Sequence, residues 1–176
     1  MNFSLFKLKS NKEGFSLIEV IVSITVFLMA MIGVIALISL NITHAALLRN
    51  RLIAANLAQE GIEVVRNIRD NNFLAQEVAS TTPWDLNLNY GNNWRVEYNS
   101  LVLFGSGGNP PLNFHPSSGL YDYNNNPGDT AASIFSRLIN IQQINANEIR
   151  ITSTVNWSER GRNFAVAVED HLFNWK

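Results

Sequence analysis

The chain has 176 residues and a formal net charge of −1, room for one modest domain plus a helical extension, and it lacks the basic excess expected of a nucleic-acid-binding protein. It contains no cysteine, which excludes a disulfide framework, a thiolate metal site, a cysteine nucleophile and a lipid-modified N-terminal cysteine. Hydrophobic residues make up 47% and charged residues 15%, with the apolar content concentrated before Leu40 and the remainder rich in Asn. Charge is also uneven. Lys7, Lys9 and Lys12 face only Glu13 at the start, whereas residues 71–176 hold six basic and nine acidic groups.

From Phe15 to Leu40 run 26 residues with a single ionisable side chain, Glu19. As helix this run would extend about 39 Å, more than the ~30 Å hydrocarbon core of a bilayer. A lone acid in such a span costs about 2.5–3.5 kcal/mol on insertion scales, so it needs a compensating partner. A cleaved secretory signal has an apolar region of only ~7–15 residues, and Thr43-His44-Ala45 is a poor cleavage site for one. A plain signal anchor fits the length and the flanking lysines, which the positive-inside rule keeps cytoplasmic. It leaves Glu19 and the glycine before the run without a role.

The stretch Gly14-Phe15-Ser16-Leu17-Ile18-Glu19-Val20, with its lysine-bearing leader and long apolar run, resembles the class III signal of type IV prepilins and pseudopilins. The resemblance implies a leader of residues 1–14, cleaved between Gly14 and Phe15 by a prepilin peptidase that also N-methylates Phe15. It implies a retained transmembrane and assembly helix over residues 15–40. It also implies that Glu19 neutralises the N-terminal amine of a neighbouring subunit. Phe15 and Glu19 are spaced i, i+4 and share a helix face. Many pilins carry a proline in the second half of this span; here residues 28–40 have none and offer only Gly33.

Residues 41–70 have no proline, and Leu48, Leu52, Ala55, Ile62 and Val65 recur at 3- and 4-residue steps save at Gln59, predicting an amphipathic continuation of the helix. Arg66 and Asp70 are spaced to pair, and Asp70-Asn71-Asn72 reads as the stop. Gly61 inside this pattern costs up to ~1 kcal/mol against alanine and points to close packing. Glu60 and Glu63, one turn apart, are read as a solvated face near arginines rather than an acid pair or metal site. The run from Ala54 to Glu63, with Gln59-Glu60-Gly61-Ile62-Glu63 at its end, is similar to PilV-type minor pilins and minor type II secretion pseudopilins.

Residues 71–176 read as a globular, β-rich head. A loop-rich connection over 71–92 leads to a strand in which Trp94, Val96 and Tyr98 alternate with polar residues, running as far as Phe104. From Gly105 to Thr130 the composition of Asn, Pro, Gly, Ser and Tyr predicts a long surface loop. A strand follows around residues 138–144. The clearest two-residue period then places Ile149, Ile151, Val155 and Trp157 on one face, and a turn at residues 158–162 returns the chain through Phe164, Val166 and Val168. The expected fold is α+β, a long helix packed by its second half on an antiparallel sheet, as in pilins.

Asp122, Asn124, Asn126 and Asp129 are spaced somewhat like a calcium loop. Pro127 and Ser133 stand where such a loop needs Gly and Glu, so this set is a weak metal candidate and no cofactor is expected. His44, His115 and His171 fall on three different predicted elements, and neither HExxH, GxSxG nor a phosphate-binding glycine loop occurs. No catalytic residue is assigned. The expectation is a non-enzymatic minor pilin or pseudopilin of a type IV pilus or type II secretion pseudopilus. Its partners would be the cytoplasmic membrane, crossed once with the head outside, the prepilin peptidase and other pilin subunits, with nucleic acid not a main ligand. The alternative is a signal-anchored extracytoplasmic binding domain that joins no filament.

Overall fold

The computed structural model describes residues 14, 16–105 and 108–175. One helix, α1 (Leu17–Val78), precedes seven strands. The chain divides after Leu47 into two compact units, each described in turn.

In the first unit, α1 is the one helix among the described residues long and apolar enough to cross a membrane. Its large side chains are exposed all round, Ile18 at 69%, Phe27 at 63% and Ile35 at 59%, as expected of a helix solvated by lipid or by neighbours. Its hydroxyls are satisfied within the helix: Ser23 donates to the Glu19 carbonyl, Thr25 to Ile21 and Thr43 to Ser39. That leaves no hydroxyl of these three needing a partner in hydrocarbon.

In the second unit the rest of α1 packs on an antiparallel sheet of order β1-β5-β6-β7, formed by β1 (Gly91–Trp94), β5 (Phe135–Asn145), β6 (Glu148–Glu159) and β7 (Arg162–Phe173). This is one long helix on antiparallel β structure, a pilin-like α+β fold. The buried helical stripe runs through Asn50, Ala54, Leu57, Ala58, Gly61, Ile62, Val65, Ile68 and Asn72. Ile62 and Val65 lie on it as expected, but Leu48 and Leu52 are each 63% exposed, so the stripe is rotated from the one the sequence suggested. Facing it are Ile139 and Ile141 of β5 and Ile149, Ile151, Val155 and Trp157 of β6. Gly61 is where helix and sheet come closest. A Cβ there would lie 2.6 Å from Ser153 Oγ and 2.8 Å from Ile139 Cδ1, both on fully buried residues.

Three further expectations are corrected. The helix does not stop at Asp70 but continues to Val78, because Asn72 is buried and its amide donates to the carbonyls of Trp84 and Leu86 at 3.0 and 2.8 Å. Arg66 pairs with Glu63 and Asp170 rather than with Asp70, which instead meets Arg69. No strand runs from Trp94 to Phe104. β1 ends at Trp94, a turn closed by Ser100 N–H on the Glu97 carbonyl reverses the chain, and only an isolated bridge joins Arg95 to Phe104.

The stretch from Gly105 to Thr130 is likewise not all loop. It supplies β2 (Asn113–His115) and β3 (Leu120–Asp122), which with β4 (Ala131–Ala132) form a second sheet of order β3-β2-β4. The β6–β7 hairpin turns through Arg160 and Gly161, both at positive φ (51° and 74°), as a two-residue type I′ loop requires.

The crowding at Gly61 sets the first prediction. Gly61→Ala gains about 1 kcal/mol of helix propensity but overpacks the interface, which costs about 1–3 kcal/mol. We expect net destabilisation of the head. All four tryptophans lie in the head, so denaturant unfolding followed by tryptophan fluorescence reads it directly, and unchanged or raised stability would refute the prediction.

Candidate functional site

The first candidate site is the start of α1. Gly14 is exposed, and a Cβ built on it would meet nothing within 4 Å. Nothing that the described residues place near Gly14 demands glycine there. The Ser16 carbonyl accepts from the amides of Glu19 and Val20 at 3.0 and 3.2 Å, so the helix begins immediately after Ser16. Glu19 falls in the first turn, where the helix dipole favours a negative charge. Phe15 and the leader lysines lie outside the described residues.

Within the head, Arg137 of β5 is fully buried and has polar contacts on three sides. Its Nη1 donates to the Leu57 carbonyl at 2.8 Å and to Glu60 Oε1 at 2.9 Å, and its Nη2 donates to the Val96 carbonyl at 2.7 Å. Glu60, about one-third exposed, is thus paired with a fully buried arginine, whereas Glu63 holds Arg66 on the surface. The expected solvated face near arginines holds for Glu63 and is corrected for Glu60, whose partner comes from a strand 77 residues away.

The second sheet contains a cluster that spacing did not reveal. His115, 3% exposed, has Asp122 Oδ1 at 2.7 Å from Nε2 and Asp129 Oδ2 at 3.7 Å from Nδ1. Ser117 donates to Asp129 from both its amide and its hydroxyl. The hydrogen bond to Asp122 raises the His115 pKa above its ordinary 6.5, outweighing burial, which opposes the charged form. The Ser117 hydrogen bonds hold the Asp129 carboxyl below its ordinary 3.8.

The same geometry places the calcium-spaced residues. Asp122 also accepts from the Asn124 amide, the Asn126 amide donates to Thr130, and the two aspartates approach His115 at opposite ring nitrogens. Among the described residues no group of three or more His, Cys, Asp or Glu side chains is arranged to hold a metal ion. His171 meets Glu148 at 2.7 Å rather than the His115 cluster, and His44 is exposed on α1.

With this geometry in place, comparison with known proteins adds one finding. Residues 9–35 match the family model described as the prokaryotic N-terminal methylation motif. That is the N-terminal motif of type IV pilins and pseudopilins, and it implies processing by a prepilin peptidase. The fold is thus pilin-like and the start of the chain carries this motif, on a helix long and apolar enough to cross a membrane. No curated protein matches the chain, and no solved structure does.

Two predictions follow from the head. Arg137→Met leaves two backbone carbonyls and the one-third-exposed Glu60 without their donor, and leaving such acceptors unsatisfied costs about 1–3 kcal/mol. A loss below 1 kcal/mol in denaturant unfolding would contradict this assignment. For His115, the raised folded-state pKa gives stability that is complete below pH ~6.5 and lost as pH rises through the folded value. For Asp129, the lowered pKa gives stability present above pH ~3.8 and lost as pH falls through its folded value. The head should be most stable between these limits. His115→Gln should flatten the decline in melting temperature above pH ~6.5, and an unchanged slope would show that another group is responsible.

Proposed function

We propose that this chain is a filament subunit, a minor pilin or minor pseudopilin of a type IV pilus or a type II secretion pseudopilus. In this reading residues 1–14 are removed on the cytoplasmic side, Phe15 becomes the methylated N-terminus, and residues 15–40 anchor the subunit in the cytoplasmic membrane. The head of residues 71–176, with the helical continuation over 41–70, stands outside. Other subunits are its partners, and its role is structural rather than enzymatic.

The observation that carries the proposal is Glu19. It is the single ionisable group from Phe15 to Leu40, it sits in the first helical turn, and the methylation motif spans it. An acid there is costly in lipid unless a positive charge meets it, and cleavage before Phe15 creates one in the new amine. In a low-dielectric surrounding such a pair also fixes axial register between subunits. The minor-pilin assignment is supported by the run from Gln59 to Glu63. Glu60 neutralises Arg137, and Gly61 admits the sheet against the helix, so the run has a physical task in seating the head.

A mass spectrum of the mature protein tests the reading. The N-terminus is expected at Phe15 with the added mass of one methyl group, and an intact Met1 terminus in a cell with an active prepilin peptidase would sink it. Glu19→Ala should abolish incorporation into filaments while leaving membrane insertion intact. If incorporation is unaffected, the alternative of a signal-anchored binding domain outside any filament is the better reading.

A further inference from the structure

The two edges of the four-stranded sheet differ. β1 is four residues long and its pairing with β5 shifts register between Gly91 and Trp94. β7 is twelve residues long and pairs with β6 without a break from Glu148↔Phe173 to Glu159↔Arg162. Among the described residues, β6 is the only strand that pairs with β7. A long, regular free edge is a template for another strand unless lysine, proline or a bulge blunts it. The middle of β7, Ala165-Val166-Ala167-Val168, has none of these.

The charges of β7 sit at its ends with opposite sign: Arg162 at one, Glu169 and Asp170 at the other. Phe164, Val166, Val168 and Asp170 stand opposite the core-facing residues Trp157, Val155, Ser153 and Ile151 of β6, and so lie on the helix side of the sheet. Phe164, Val166 and Val168 are only half-buried, although they pack against the core. Beside them an open groove of about 400 Å³ runs between β7 and α1, lined by Ile62, Glu63, Arg66, Val168 and Asp170 among others.

We propose that this edge pairs antiparallel with β7 of a second copy, about a two-fold axis through Val166. In that register Arg162 of one copy lies opposite Asp170 of the other, Phe164 lies opposite Val168, and Val166 meets itself. The second copy's Arg162 enters the groove end where Glu63 and Asp170 share the one cation Arg66, which leaves that end negative. Its Phe164 covers the apolar part over Ile62. Sliding the pair by two residues sets Phe164 against Asp170, or Arg162 against Val168, so a single register satisfies both the charges and the apolar side chains. The axis stands normal to the sheet, and the helices of the two heads therefore run in opposite directions. The contact is isologous and closes on itself. It joins heads that approach from opposed surfaces and is distinct from the packing of neighbours in one polar filament.

Because the chain has no cysteine, introduced thiols test the register directly. Residues directly opposite in an antiparallel pair have Cα atoms about 4.5–5.5 Å apart, within disulfide reach. The full chain carrying Val166→Cys, purified in detergent, should convert to a disulfide dimer under mild oxidation. A mixture of Ala165→Cys and Ala167→Cys chains, at exposed positions, should cross-link faster than either variant alone. Adding Ala167→Lys to the Val166→Cys chain should abolish its dimer. The proposal is overturned if Val166→Cys cross-links no faster than Asn99→Cys on the remote turn and the Ala165/Ala167 mixture shows no preference. It is also overturned if the dimer persists with Ala167→Lys, or if the Val166→Cys chain in cells couples to a different polypeptide instead of to itself.

Discussion

A fully buried guanidinium, that of Arg137, holds together segments that apolar contact alone would leave free to slide. It reaches from β5 to the Leu57 carbonyl and Glu60 on α1 and to the Val96 carbonyl beyond β1. Burying such a charge costs several kcal/mol unless its hydrogen bonds are met with good geometry. Three segments must therefore arrive together: the helix, the strand and the turn after β1. Gly61 lies one helical turn after Leu57, and a Cβ there would stand 3.2 Å from Arg137 Cδ. The missing side chain is what lets the arginine reach the helix backbone.

The helix itself answers to two different environments. Up to Leu40 its large exposed side chains are apolar all round, Ser23 and Thr25 bond back to the preceding turn, and its one acid sits in the first turn. In the head only one stripe is buried, and the opposite face carries Glu63, Asn67 and Asp70. Composition alone separates these regimes, because a helix that contacts lipid or sister helices on every side has no polar face to offer. The methylation motif, residues 9–35, lies wholly within the first of the two compact units. The chemistry of processing is thus carried by a segment independent of how the head folds.

The regular parts of the head were legible because one face of each is buried. The alternation at Ile149, Ile151, Val155 and Trp157 matches β6, and the Ser-Glu-Arg-Gly-Arg turn matches the tight hairpin at Arg160 and Gly161. The failures share a cause. Trp94, Val96 and Tyr98 alternate, yet only Val96 is buried, because a turn in which the Glu97 amide donates to the Ser100 hydroxyl bends the chain away from the sheet. Asn72 has the composition of a helix stop but finds its partners in a turn twelve and fourteen residues on. The second sheet has strands of two or three residues, too short to show a period, and is tied together by His115 and Asp122 across the strand pair.

By itself the sequence determined what depends on neighbours along the chain: a membrane-length helix, an acid placed anomalously within it, a glycine ahead of it, and the two-residue period of the long strands. These signals are local because helix and strand repeat over a few residues and because a bilayer sets a length. Tertiary structure alone decided which acid meets which base, where the helix ends, and which histidine becomes buried between two carboxylates. Those outcomes depend on side chains brought together across long separations, such as the 104 residues between Arg66 and Asp170. Such pairings leave no periodic trace in one sequence. Only the folded chain shows that Glu60, one of two similar acids a turn apart, is the partner of Arg137.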